Sequence, residues 1–106
     1  MNANVNTNIL ETVEFNEDGF MVDANAWTED IAHAIAEVLG FELTDRHWVV
    51  INFARAEYAE KGDAPAIRAI TKRTDVGTKE LYALFPGGAA KIAAKVAGLP
   101  KPTGCI

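Results

Sequence analysis

TEDIAHAIAEVLGFELTDRHWVVINFARAEYAEKG, Thr28 to Gly62, reads as two successive helices with their ends marked. Thr28 is a good N-cap, and Glu29 and Asp30 sit at the positive end of the helix dipole. Ile31, Ala32, Ile35, Ala36 and Leu39 recur on one helical stripe, and Gly40 ends the run. Thr44 caps a second helix that reaches to about Glu60, and Lys61-Gly62 closes it. Its apolar positions, Trp48, Val49, Ile51, Phe53 and Tyr58, are dense and predict a central, buried helix.

Working outward toward the N-terminus, Val13 to Val22 alternates apolar and polar residues around Asn16-Glu17-Asp18-Gly19. Asp-Gly is a hairpin turn signal, so the pattern predicts a β-hairpin over about residues 11–15 and 20–23. Residues 1–10, MNANVNTNIL, are polar and Asn-rich and read as a disordered tail, with neither the basic nor the apolar region of a secretory signal. On the other side, Asp63 is a fair N-cap before Ala64-Pro65. Ala66, Ile67, Ala69 and Ile70 give a short third helix to about Arg73. Thr78 caps a fourth helix carrying Leu81, Leu84 and Phe85, and Pro86-Gly87-Gly88 interrupts it. An Ala-rich fifth helix runs from about Ala89 to Ala97 and stops at Gly98. Pro100 and Pro102 then forbid helix and stiffen the end of the chain toward polyproline II. The expected architecture is mainly α (α+β). It comprises a tail over 1–10, a single small helical bundle with an N-terminal β-hairpin over 11–97, and a flexible, extended C-terminal arm over 98–106.

At 106 residues with 49% apolar content, the chain can build one real core. No apolar run approaches a bilayer-spanning length, so no membrane partner is expected. The net charge of −5 hides an asymmetry. Residues 1–63 hold three basic and thirteen acidic side chains, a charge of −10, whereas residues 64–106 hold seven basic and two acidic, a charge of +5. The basic half suits an acidic protein surface or an anionic substrate; simple segregation of charge between faces accounts for it equally well.

That basic half also carries the only cysteine, Cys105, one residue from the last. One cysteine excludes an internal disulfide framework and fits a reducing cytoplasm. The nine residues GLPKPTGCI, when extended, reach up to about 30 Å. Their prolines lower the entropy lost on docking, and Gly104 leaves the thiol unobstructed. A thiolate presented this way can enter a narrow site on another protein and take up sulfane sulfur as a persulfide. Lys101, Lys95 and Lys91 favour the anion, and the terminal carboxylate of Ile106 opposes it.

The tail, with Leu84-Phe85-Pro86-Gly87-Gly88 and Lys91 before it, resembles the C-terminus of the DsrC/TusE family of sulfur-relay proteins. Asp18-Gly19-Phe20, Trp27, Leu43-Thr44, His47-Trp48 and Ala64-Pro65-Ala66-Ile67-Arg68 also resemble the family, in its order, so the likeness covers about residues 11–106. It implies a small helical bundle with a hairpin and a mobile arm whose penultimate cysteine, Cys105, carries sulfur. It further implies a sulfurtransferase without small-molecule turnover of its own and without a cofactor. The implied partners are a TusBCD- or DsrEFH-like donor complex and an acceptor such as a tRNA 2-thiouridylase. Members serving dissimilatory sulfite reductase have a second arm cysteine eleven positions upstream, where this chain has Ala94. The resemblance therefore points to single-cysteine, TusE-like chemistry, with a DsrC-like paralogue in dissimilatory sulfur metabolism as the alternative. The segment between Arg68 and Leu81 is also shorter than is usual in the family, which is compatible with a different partner.

Other constellations are weaker. His33 and His47 lack metal-ligand spacing and read as structural or exposed histidines, so no metal is expected. Gly87-Gly88 is too short for a phosphate loop. Asp63, Asp75 and Glu80 read as caps and solvated charges. Arg68, alone among Ala and Ile, reads as one half of an ion pair, with steering of the thiol as the second reading. Lys91 and Lys95, four apart, share a helix face and form either a basic landing strip for a partner or a solvated face. Helices three and four could resemble a DNA-binding helix-turn-helix, but Arg68, Lys72, Arg73 and Lys79 are few, and a pI near 4.9 makes nucleic-acid binding a poor expectation.

Overall fold

The computed structural model describes residues 7–101. Five α-helices dominate: α1 Glu29–Leu39, α2 Asp45–Lys61, α3 Ile67–Arg73, α4 Thr78–Leu84 and α5 Ala89–Val96. Two short 3-10 turns, Thr7–Thr12 and Ala24–Ala26, precede them. α5 is the hub, packing against α1, α2 and α4, while α3 bridges α2 and α4. Its exposed side is narrow because alanines at 89, 90, 93, 94 and 97 are all buried and let its neighbours approach closely.

The caps read from the sequence are in place for α1 and α2, whereas Thr78 is the first residue of α4 and Gly77 its N-cap. Thr28 Oγ1 accepts a hydrogen bond from the Ile31 amide at 3.3 Å, and Gly40 and Gly62 end α1 and α2. α2 is central, but it buries one stripe rather than its whole circumference: His47, Val50, Ile51, Ala54 and Glu57. Trp48, Phe53 and Tyr58 pack at the edge of the core, and Val49 faces outward.

Three expectations require correction. The β-hairpin over 11–15 and 20–23 does not form; among the described residues there is a single antiparallel bridge, Phe15 to Met21, and no strand. Asn16 Oδ1 accepts from the amides of both Asp18 and Phe20, at 2.9 and 3.0 Å, which folds the segment into a tight loop. On either side the chain goes into 3-10 turns, and Asp23 caps the second by accepting from the Asn25 amide. The alternation therefore serves to bury Phe20 and Met21 rather than to build a ladder. Next, residues 7–10 of the expected tail belong to the first 3-10 turn, which packs on α1, and residues 1–6 lie outside the described residues. Finally, α3 starts at Ile67 with Ala66 as its N-cap, not after Asp63. Ala64-Pro65 is buried, non-helical chain instead, as the restriction on a residue before proline favours.

Two polar clusters pin the bundle. The Arg46 guanidinium donates from Nε to Glu80 Oε2 at 2.7 Å, from Nη2 to Glu80 Oε1 at 2.8 Å, and from Nη1 to Asp75 Oδ2 at 3.0 Å. These bonds hold the Glu80 carboxyl below its ordinary range and raise Arg46 above its own. Asp75 and Glu80 are thus partners of Arg46, Asp75 while still largely exposed to solvent. Glu57, nearly buried, pairs with Lys61 at 2.9 Å and Arg73 at 2.8 Å, and its carboxyl is held low chiefly by the Lys61 hydrogen bond.

His47 joins α2 to α4. Its Nδ1 accepts from the Thr44 amide at 2.9 Å, and its Nε2 lies 2.7 Å from the Leu84 carbonyl oxygen, which requires Nε2–H on a neutral ring. The ring stacks on Phe41 and meets Phe85 edge-on. Burial pushes its pKa down, against the opposing pull of the Leu84 carbonyl. Below about pH 6.5, where an unfolded histidine takes up a proton, the folded ring resists protonation, so the unfolded chain binds more protons. Stability contributed by His47 is therefore full above that pH and falls as pH drops toward the lowered folded value. Chemical denaturation at pH 7.5 and 5.5 should show wild type losing stability on acidification. His47→Gln should be less stable at both by about 1–3 kcal/mol, with a flatter response. An equal slope in the variant would remove His47 as the cause.

Candidate functional site

Cys105, expected from the sequence to be the reactive group, and its neighbour Gly104 lie outside the described residues. What the structure gives is the base from which that segment departs. α5 ends in a Schellman turn: the Gly98 amide donates to Lys95 O at 3.1 Å and the Leu99 amide to Ala94 O at 2.9 Å. Gly98 takes φ +74°, the left-handed conformation this turn needs. The remaining two carbonyls are taken by side chains from distant segments. Trp27 Nε1 donates to Val96 O at 2.9 Å, and Arg55 Nη1 donates to Ala97 O at 2.7 Å.

Arg55 also donates from Nη2 to Ala24 O at 3.1 Å, and its guanidinium lies 4.2 Å from the Trp27 ring centre. Burial lowers its pKa, with Tyr58 opposing, but an arginine remains charged here and faces the negative end of the α5 dipole. Leu99 is completely buried. So Gly98 and Leu99, expected as the start of an arm, belong to the core, and the chain reaches the surface at Pro100 and exposed Lys101. Ala94, where two-cysteine members of the resembled family have a thiol, is buried in α5.

The other predicted residues are not brought to one place. Lys95 sits 5.2 Å from the Phe20 ring centre and lines a groove of about 240 Å³ with Leu10, Phe15, Ile35, Val38 and Leu39. Lys91 lines a different groove, beside Tyr82 and Gly87-Gly88. The two lysines therefore do not face a common groove. Arg68 is exposed on α3, and among the described residues no carboxylate forms the expected ion pair with it. His47 is committed to the core, and His33 packs edge-on against Trp48. Sequence reasoning missed Trp27 and Arg55 as a pair, since their bonds to α5 cross 69 and 42 residues.

Comparison with known proteins decides the family. The family model described as "DsrC like protein" matches residues 8–106. The chain belongs to this family. A "Sulfurtransferase TusE homolog" from Haemophilus influenzae is 45% identical, covering 96% of this chain and 99% of its own length. "Sulfurtransferase TusE" of Escherichia coli is 40% identical, with 89% and 93% covered. Among solved structures, DsrC of Allochromatium vinosum is 42% identical with a TM-score of 0.79, covering 89% of this chain and 90% of that one. The oxidized gamma-subunit of dissimilatory sulfite reductase, DsrC, of Archaeoglobus fulgidus is 38% identical with a TM-score of 0.81, covering 89% and 92%. The DsrC bundle and its order of elements thus hold in this chain. No helix among the described residues is long and apolar enough to cross a membrane.

Proposed function

We propose that this DsrC-family chain is a single-cysteine sulfur carrier working through Cys105. The observation that carries the reading is the clamped end of α5: its last carbonyls are all engaged and Leu99 is in the core. The thiol lies only six residues beyond that fixed point, within roughly 20 Å of it. A rigid base with a short proline-braced lead limits where the thiol can be presented, which favours meeting a sulfur atom inside another protein.

The chemistry balances without an added oxidant or reductant. The Cys105 thiolate attacks the outer sulfur of a donor persulfide. The donor S–S bond breaks, a new S–S bond forms on Cys105, and the electron pair leaves on the donor thiolate. An acceptor thiolate then attacks the outer sulfur on Cys105, which departs as the thiolate. With Ala94 in place of a second arm thiol, an intramolecular disulfide is unavailable, leaving transfer as the outcome. In this reading Lys101 and Gly104 flank the exchanging thiol, and Lys91, Lys95 and Arg68 contact partners. The donor is a TusBCD- or DsrEFH-like complex, the acceptor a tRNA 2-thiouridylase or a related sulfur acceptor, and the setting a reducing cytoplasm. The test is transfer: protein charged with radiolabelled sulfur and freed of its donor should pass the label to a second protein thiol. Label that stays on the chain with every acceptor tried would overturn carriage in favour of storage.

A further inference from the structure

The seven basic residues beyond residue 63 are opposed by only two carboxylates there, Asp75 and Glu80. Arg46, from the acidic half, engages both. Arg73 is taken up by Glu57. Among the described residues no ion pair holds Arg68, Lys72, Lys79 or Lys91. The fold thus neutralises the acids of this half and leaves its cations available.

Two of those cations line two adjoining surface pockets, which share Ile67, along α3, α4 and the start of α5. Together they form one groove. One lobe, about 580 Å³, lies beside Arg68, Thr71 and Thr78. The other, about 190 Å³, lies beside Tyr82, Gly88 and Lys91. Ile67 lines both lobes, and Tyr82 is 49% exposed although large and mostly apolar. Arg68 lines one lobe and Lys91 the other, with Ile67 common to both and no carboxylate among the lining residues.

We infer that this groove docks an extended acidic segment of the protein that exchanges sulfur with Cys105. The segment lays an apolar side chain on Ile67 and Tyr82 and sets carboxylates against Arg68 and Lys91. The carrier reading enters only in identifying the partner; the groove's ligand chemistry rests on charge and shape. A nucleic acid fits less well. The floor is aliphatic apart from one tyrosine, the available cations are few, and a chain with thirteen acidic residues before Ala64 repels a polyanion.

The experiment uses the full chain and four probes, followed by amide chemical shifts. They are the blocked peptide Asp-Glu-Phe-Glu-Asp, its neutral analogue Asn-Gln-Phe-Gln-Asn, a basic Lys-Lys-Phe-Lys-Lys peptide, and a five-nucleotide RNA. The acidic peptide should perturb Ile67, Arg68, Tyr82 and Lys91, weaken with salt, and bind at least tenfold more tightly than the neutral one. Arg68→Glu with Lys91→Glu, both outside the buried core, should lower its affinity at least tenfold without shifting the melting temperature. Equal binding of the neutral peptide, tighter binding of the RNA, perturbation confined to the Lys95 groove, or no perturbation at millimolar peptide would each overturn the inference. Sulfur loading from a small-molecule donor, measured in parallel, separates the two readings. A chain that loads sulfur without a peptide footprint loses the groove, and one that binds peptide but never loads loses the carrier.

Discussion

Cys105→Ser should abolish sulfur loading and leave the fold intact. The loss is expected to be complete, not partial, because the chain has no other thiol to share the cargo. A serine hydroxyl cannot stand in: it is not ionised at neutral pH and cannot form the S–S bond that stores sulfane sulfur. The fold should survive because the buried cluster, from Phe20 to Leu99, is assembled within residues 7–101 and a serine differs from cysteine by one atom. Incubation with a persulfide donor followed by intact mass gives the readout. Wild type should gain one sulfur atom, removable by reductant, and the variant none, with matching circular dichroism and melting curves. Oxidation should then give wild-type dimers on a non-reducing gel and none in the variant. A wild type that never gains mass with any donor, or a variant that still does, would sink the assignment.

The helices were legible because their signals are local. Thr28 and Gly40, or Thr44 and Gly62, act within a few residues of themselves, and the sequence shows them directly. The hairpin failed for a local reason of another kind. Asn16 offers its side-chain oxygen to two amides, and that loop competes with a ladder whose flanks already wind into 3-10 turns. The clamp on α5 was invisible because nothing in the spacing of Trp27, Arg55 and Val96 announces that they meet. The same holds for Arg46, whose partners lie 29 and 34 residues away. The candidate reactive residue was legible in the tail's composition, a lone cysteine behind two prolines and two glycines, and in its resemblance to the family's C-terminus. The structure adds the point at which that segment is fastened, and moves it inward from Gly98 to beyond Leu99.

That fastening makes Gly98→Ala the second large effect. A methyl group at φ +74° costs about 1–2 kcal/mol in backbone strain alone. It would also sit 2.5 Å from Trp27 Cγ and 2.6 Å from Trp27 Cβ, closer than carbon atoms approach. Relief requires the indole to move. That breaks its bond to Val96 O and leaves Arg55 without the ring beside it. A buried carbonyl losing its partner costs about 1–3 kcal/mol more. The total is on the order of 3 kcal/mol, a fall of roughly 10–20 °C in melting temperature for a domain of this size. Gly87→Ala is the control: its φ of +96° carries the strain, but nothing lies within 4 Å of the added methyl, so only the smaller backbone cost should appear. Truncation separates anchor from arm. A chain ending at Lys101 should melt like wild type, whereas one ending at Gly98 loses the fully buried Leu99 and about 2–5 kcal/mol. If Gly98→Ala melts no lower than Gly87→Ala, the Trp27–Arg55 grip on α5 does not fix the root of the arm, and Cys105 would have to be aimed by its partner alone.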